Sequence, residues 1–193
     1  MHEVELTVKG LSYSQGKSGA YALILAEKGE RGRKLPVVIG GAEAQSIAVA
    51  MEKSVAPPRP LTHDTWVNML KEMNVNIEKV VIHRLVNGVF FASIYSMDEN
   101  GKQLIFDSRP SDAVALAVRL ECPIYAIESL LKQAGITPQE EQEADGIEAV
   151  VEEEFDNPEK QSREELEQSL KKAVENEDYE LAARLRDKLD KLK

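Results

Sequence analysis

Residues 77–97 read I-E-K-V-V-I-H-R-L-V-N-G-V-F-F-A-S-I-Y-S-M, a pattern that indicates the fold class. Two strand-like runs, 77–86 and 89–97, flank Asn87-Gly88, a dipeptide that favours a tight β-hairpin turn. A second turn signal, Asp98-Glu99-Asn100-Gly101, leads into a third strand-like run at 102–106. The sequence therefore predicts an antiparallel meander of three strands.

The flanking sequence supplies further strands and several helices. Strand-like runs occur at 3–8, 20–26, 35–39 and 123–127, and the second and third flank a glycine-containing loop typical of a hairpin. Helical patterns occur at 42–53, 62–73, 113–120 and 129–134, the third with Ser111 as its expected N-cap. The order β-β-β-α-α-β-β-β-α-β-α predicts an α+β fold, a largely antiparallel sheet with packed helices.

The charge is distributed unevenly along the chain. Residues 1–136 carry 15 Lys+Arg and 15 Asp+Glu, so the net charge of −10 arises in the remainder. Residues 137–161 are strongly acidic and are predicted to form a linker. Residues 1–136, the core domain, have no excess of basic residues, so nucleic-acid binding by bulk charge is not expected. Any contact with nucleic acid must be local or metal-assisted.

Composition also excludes several classes of protein. One cysteine, Cys122, permits neither an internal disulfide nor a cysteine-based zinc site. No apolar run approaches the ~20 residues that a membrane span requires. Residues 1–3 lead directly into a strand pattern without a signal peptide. We therefore expect a cytoplasmic protein that does not enter a membrane.

Two polar clusters each precede a predicted helix. In R-P-L-T-H-D at 59–64, a proline-stiffened loop delivers His63 and Asp64 to a first helical turn. In D-S-R-P-S-D at 107–112, a strand end delivers two carboxylates and a guanidinium to another helix start. Helix N-termini favour anions, and arginine can bind a phosphate through two hydrogen bonds. Each cluster would suit a phosphodiester.

These clusters supply the candidate site residues. Carboxylates with a histidine suit general acid–base chemistry or a hard divalent cation, here Mg²⁺ or Mn²⁺. The expected catalytic groups are His63, Asp64 and Asp112; the expected substrate-binding groups are Arg59, Arg109 and Ser111; the expected metal ligands are Glu43, Asp64 and Asp107. A structural alternative stays open, in which the acidic side chains only complement helix dipoles and Arg109 forms a structural ion pair.

The C-terminal residues 162–193 predict an antiparallel helical hairpin. Ser162-Arg163-Glu164-Glu165 has the form of a capping box, and apolar residues at helical spacing follow on both sides of a turn near 176–178. A lone hairpin of this size buries little, so it needs a partner. The expected interaction residues are Leu166, Leu170, Tyr179, Ala182, Ala183, Leu185, Arg186 and Leu189. The alternative is a solvated amphipathic tail.

Both parts of the chain resemble known families. The hairpin resembles the UVR motif of the repair proteins UvrB and UvrC, which implies a UVR-containing or other helical protein partner. Segments 37–44, 59–64 and 108–117 together resemble the bifunctional nuclease domain family over about residues 3–136. That resemblance implies cleavage of DNA and RNA.

Two functions are therefore expected. The first is metal-assisted phosphodiester hydrolysis. The second is a non-enzymatic adaptor, oligomeric or ligand-binding, whose hairpin recruits a repair or stress-response partner. A stripe of Trp66, Met69 and Met73 on one predicted helix is expected to pack in the core or to mediate self-contact, and we expect a homo-oligomer.

Overall fold

The computed structural model describes residues 2–13, 21–29, 32–52 and 57–143, together with Arg186. The chain divides into two compact units, Met1–Phe155 and Asp156–Lys193. The seven strands of the described residues are β1 Glu3–Tyr13, β2 Tyr21–Glu27, β3 Lys34–Ile39, β4 Asn76–Val86, β5 Val89–Met97, β6 Gln103–Ser108 and β7 Ile124–Ile127. Within residues 2–143, the helices that the structure describes are α1 Gly41–Met51, α2 Thr62–Glu72, α3 Pro110–Leu120, α4 Glu128–Ala134 and α5 Pro138–Glu143. The α+β prediction is confirmed.

The strands form a mixed sheet in the order β3-β2-β1-β7-β4-β5-β6. The β2–β3 hairpin and the β4-β5-β6 meander are antiparallel, as predicted. Asn87 and Gly88 both have positive φ angles, which a tight primed turn requires. Strand β7 inserts between β1 and β4 and runs parallel to β4, because the chain returns from the β6 edge through α3.

Helix α3 is the centre of the packing against the sheet. Its residues Ala113 to Ala117 are almost completely buried, and the helix packs against α1, α2, β4 and β5. The expected N-cap at Ser111 is wrong: Arg109 has the extended backbone of the cap and Pro110 is the first helical residue. Proline suits that position, since it has no N–H and its φ angle is already helical.

Helix α2 presents an apolar stripe to solvent. Trp66, Met69 and Met73 are 43%, 55% and 63% exposed, so the expectation that they pack in the core is wrong. The buried side chains of α2 are instead His63 and Val67. The periodicity identified a shared helix face correctly, but a different face of the helix contacts α3.

The start of the expected linker is structured. Helix α5 covers Pro138–Glu143, and Lys34 in β3 forms an ion pair with Glu141 at 2.5 Å. Most of the predicted hairpin at 162–193 lies outside the described residues; Arg186 is helical and exposed. No helix of the described part is long and apolar enough to span a membrane.

Candidate functional site

Three helix N-termini meet at one cluster of polar side chains. Glu43, His63 and Asp112 lie in the first turns of α1, α2 and α3. His63 Nε2 lies 3.1 Å from Asp112 Oδ1. Arg109, which caps α3, places Nε 2.6 Å from Asp112 Oδ2 and Nη2 2.9 Å from Glu43 Oε1. The four side chains form one continuous hydrogen-bonded network.

A buried serine holds the other side of the imidazole. Ser46 Oγ in α1 lies 2.8 Å from His63 Nδ1. If Nε2–H donates to the Asp112 carboxylate, the Ser46 hydroxyl donates to Nδ1, and the two contacts together favour this tautomer of the neutral ring. The imidazole is therefore oriented by groups from two other helices.

Arg109 is the exposed member of the network. Its side chain is 66% exposed, whereas those of Asp112 and Glu43 are 18% and 19% exposed. The hydrogen bond and the charge of Asp112 raise the pKa of Arg109 most, desolvation opposes them, and Glu43 adds a lesser increase in the same direction as Asp112. The guanidinium is thus a permanent cation at the surface of a cluster of helix N-termini.

A glycine permits the position of the Glu43 carboxylate. A Cβ atom at Gly40 would clash with Glu43 Oε2. The Val38-Ile39-Gly40-Gly41 junction between β3 and α1 therefore lets this carboxylate fold back over the start of its own helix.

Asp64 belongs to an adjacent network. Its Oδ2 accepts from the Leu61 amide at 2.8 Å and its Oδ1 accepts from Arg119 Nε at 2.5 Å. Burial raises the pKa of Asp64, but the hydrogen bonds from Arg119 and Leu61 outweigh it, so the pKa lies below the ordinary value. Arg119 also donates to the Ala115 and Ser46 carbonyls. Asp64 therefore links α2 to α3, and Ser46 belongs to both networks.

The other expected site residues have different environments. Arg59 and Asp107 are exposed, and Asp107 lies on the edge strand β6 opposite Ser93. Ser111 is buried in the first turn of α3. Glu43, Asp64 and Asp107 do not form one group, and no set of three or more His, Cys, Asp or Glu side chains in the described part of the chain is arranged to hold a metal ion.

Sequence reasoning missed two members of these networks, Ser46 and Arg119. Ser46 follows Glu43 by three residues and Arg119 follows Asp112 by seven, so each shares a helix face with a residue already singled out. That spacing could have identified both as candidates. Their partners, however, lie on other helices and are known only from the packing.

Fold and cluster together define an α+β domain in which three helix N-termini converge on a network of charged side chains. Residues 23–139 match the bifunctional nuclease domain, and residues 160–193 match the UvrB/uvrC motif. The chain belongs to the bifunctional nuclease domain family.

Similar proteins occur in bacteria and plants. An uncharacterized protein of Mycobacterium tuberculosis is 36% identical over 152 residues, which cover 79% of this chain and 88% of the relative. Bifunctional nuclease 2 and bifunctional nuclease 1 of Arabidopsis thaliana are each 27% identical. Those alignments cover 88% and 87% of this chain but 55% of each plant protein.

Proposed function

We propose that this domain hydrolyses phosphodiester bonds in nucleic acid. The observation that carries the proposal is the convergence of three helix N-termini on the exposed Arg109 guanidinium. The positive ends of helix dipoles and a fixed cation both favour a phosphate group. The names of the two Arabidopsis relatives support the same class of reaction, whereas the mycobacterial relative has no assigned activity.

Arg109 has donors available for the scissile phosphate. Nε and Nη2 bind Asp112 and Glu43, while Nη1 makes no hydrogen bond to any described residue. The two N–H groups of Nη1 can therefore donate to phosphate oxygens while the Asp112 and Glu43 carboxylates hold the guanidinium in place. Arg109 would neutralise charge that develops on the phosphate in the transition state.

The His63–Asp112 pair is the proposed proton-transfer group. Asp112 is partly exposed beside Arg109, and the buried His63 imidazole binds the same carboxylate from behind. An attacking water would lose its proton to the Asp112 carboxylate, while His63 Nε2–H holds that carboxylate in place from behind. Ser46 keeps the ring oriented for this transfer.

A divalent cation would supply further charge neutralisation and an activated water. Among the described residues the carboxylates do not form a three-ligand set, and Glu43 and Asp112 are bound to Arg109. We therefore assign no step to Mg²⁺ or Mn²⁺. The cleavage assay below measures whether the rate depends on these ions.

The test compares cleavage of DNA and RNA by full-length wild-type protein, Arg109→Gln and the control Arg84→Gln. Arg84 is also an exposed arginine, but it stacks on Phe91 in the β4–β5 hairpin. Removing one preorganised charge-stabilising donor costs about 100- to 1,000-fold in rate, so Arg109→Gln should lose that much and the control little. Reactions run with Mg²⁺, Mn²⁺ or EDTA. Equal activity of wild type and Arg109→Gln would contradict the proposal.

An adaptor function is the second candidate. The exposed Trp66, Met69 and Met73 stripe favours it, because contiguous exposed apolar surface marks binding sites. In this role the domain would form a homo-oligomer and the UVR motif would recruit a UVR-containing protein. The adaptor function predicts an oligomer by light scattering, and weak cleavage that persists unchanged in Arg109→Gln.

A further inference from the structure

Trp66 is a large exposed aromatic residue beside the candidate site. It is the only tryptophan of the chain and lies one helical turn after His63 on α2. The indole and imidazole ring centroids are 6.5 Å apart with a tilt of 40°. Because His63 binds Asp112 and Asp112 binds Arg109, the indole is separated from the guanidinium by only two intervening side chains.

This combination matches how proteins bind unpaired nucleic acid. Such sites pair cationic groups that contact the phosphate backbone with aromatic side chains on which bases stack. Here Arg109 is the exposed cation and Trp66 is the exposed aromatic ring. A buried indole could not accept a base, whereas this one is 43% exposed.

The charge balance of the core makes stacking important. Residues 1–136 hold equal numbers of basic and acidic side chains, so diffuse attraction to a polyanion is weak. Binding must then come from a few local contacts. Stacking on an aromatic ring supplies binding free energy that depends little on charge.

We propose that Trp66 is a nucleobase-stacking platform and that the substrate is unpaired nucleic acid. The inference rests on the proposed function: a base adjacent to the phosphate held by Arg109 stacks on the exposed face of the indole. Within a duplex each base is already stacked on its neighbours, so its face is not available unless it is flipped out. Unpaired DNA and RNA share this chemistry, and the experiment includes both.

The single tryptophan provides a direct readout. Full-length protein is titrated with oligo(dT) and oligo(U) of about eight nucleotides, within the usual site size, and with a mixed-sequence duplex, while Trp66 fluorescence is recorded. Stacking should quench the fluorescence with both single strands and leave it unchanged with the duplex. Affinities come separately from the anisotropy of labelled oligonucleotides.

Variants separate stacking from a general apolar effect. Trp66→Ala should weaken single-strand binding roughly 5- to 150-fold, the range measured for loss of one aromatic stacking partner, and Trp66→Phe should retain part of the affinity. Met73→Ala is the matched control, because Met73 is exposed on the same stripe about 10 Å further along the helix. Its oligonucleotide affinity should equal that of wild type.

Unchanged single-strand affinity in Trp66→Ala overturns the assignment, as does the absence of oligonucleotide binding by the wild type. If Trp66→Ala and Met73→Ala instead both dissociate an oligomer in light scattering and leave oligonucleotide affinity unchanged, the stripe binds a second copy of the chain and the stacking assignment is wrong. Quenching without cleavage would refute the nuclease function while supporting the platform. Cleavage that depends on Arg109 but not on Trp66 would support the nuclease function and refute the stacking platform.

Discussion

Replacing Arg119 with methionine should destabilise the domain by about 2–4 kcal/mol. The side chain is 8% exposed and donates to the Asp64 carboxylate and to the Ala115 and Ser46 carbonyls. A hydrogen bond that involves a charged group contributes about 1.5–3 kcal/mol, and loss of the partner also leaves Asp64 unpaired. The value stays below that for a fully buried pair, because Asp64 is 30% exposed and keeps the Leu61 amide.

Urea unfolding monitored by Trp66 fluorescence measures this loss within the described domain. Lys28→Met is the control, since Lys28 and Glu5 form an ion pair whose side chains are largely exposed. Exposed pairs contribute roughly 0–1 kcal/mol. A loss in Arg119→Met no larger than in the control would refute the conclusion that Asp64 and Arg119 join α1, α2 and α3.

The Asp64–Arg119 ion pair also predicts how the free energy of unfolding depends on pH. The pKa of Asp64 is lower in the folded protein than its ordinary value, so the pair stabilises the fold above the unfolded pKa of about 4. This contribution is lost as pH falls through the folded pKa. The stability difference between wild type and Arg119→Met should therefore be full at pH 7 and shrink below about pH 4. A difference that stays constant to pH 2 would show that the charge of Asp64 contributes nothing.

Three further predictions concern other parts of the chain. Burial raises the pKa of Cys122 to about 11, so iodoacetamide should alkylate the native thiol slowly at pH 8 and much faster in urea; equal rates would contradict the burial. A chain ending at Ile136 should still melt cooperatively but be about 1 kcal/mol less stable than one ending at Glu143, because it lacks α5 and the Lys34–Glu141 pair; identical melting curves would show that α5 adds nothing. Replacing Leu170 and Leu185 with aspartate should abolish binding of a purified UVR-containing partner, measured by pull-down, without changing the melting temperature of the core; retained binding would move the interaction elsewhere.

Local sequence signals predicted most of the fold. Asn87-Gly88 specifies a hairpin because both residues tolerate positive φ. The proline and acidic residues at 57–64 and 107–112 predict the starts of helices α2 and α3. Residue type alone favours Ser111 as the cap, whereas the Arg109-Pro110 pair determines where α3 begins. The insertion of β7 between β1 and β4 depends on long-range pairing that no local pattern encodes.

The candidate site was only partly accessible from sequence. The two helix-start clusters contain His63, Arg109 and Asp112, which the structure joins in one hydrogen-bonded network. They also contain Asp64, which binds Arg119 in the adjacent network, and the exposed Arg59 and Asp107. Residue type and sequence position cannot show which of these side chains meet, because the packing of each helix or strand determines where its side chains lie. The exposure of Trp66 could not be predicted either, since periodicity identifies which residues share a helix face but not which elements pack against that face.

The most direct test of the central claim is single-turnover cleavage of an unpaired oligonucleotide by full-length protein purified to constant specific activity. Wild type, His63→Ala, Asp112→Asn and Arg84→Gln are compared at equal concentration, with circular dichroism to confirm folding. Loss of a general base lowers rates by about 100- to 10,000-fold, so Asp112→Asn should lose that much. His63→Ala removes the group that orients this carboxylate and should lose much of the rate as well, while Arg84→Gln cleaves like wild type. Equal rates in all four proteins would contradict the assignment of a nuclease site to the cluster of His63, Asp112 and Arg109.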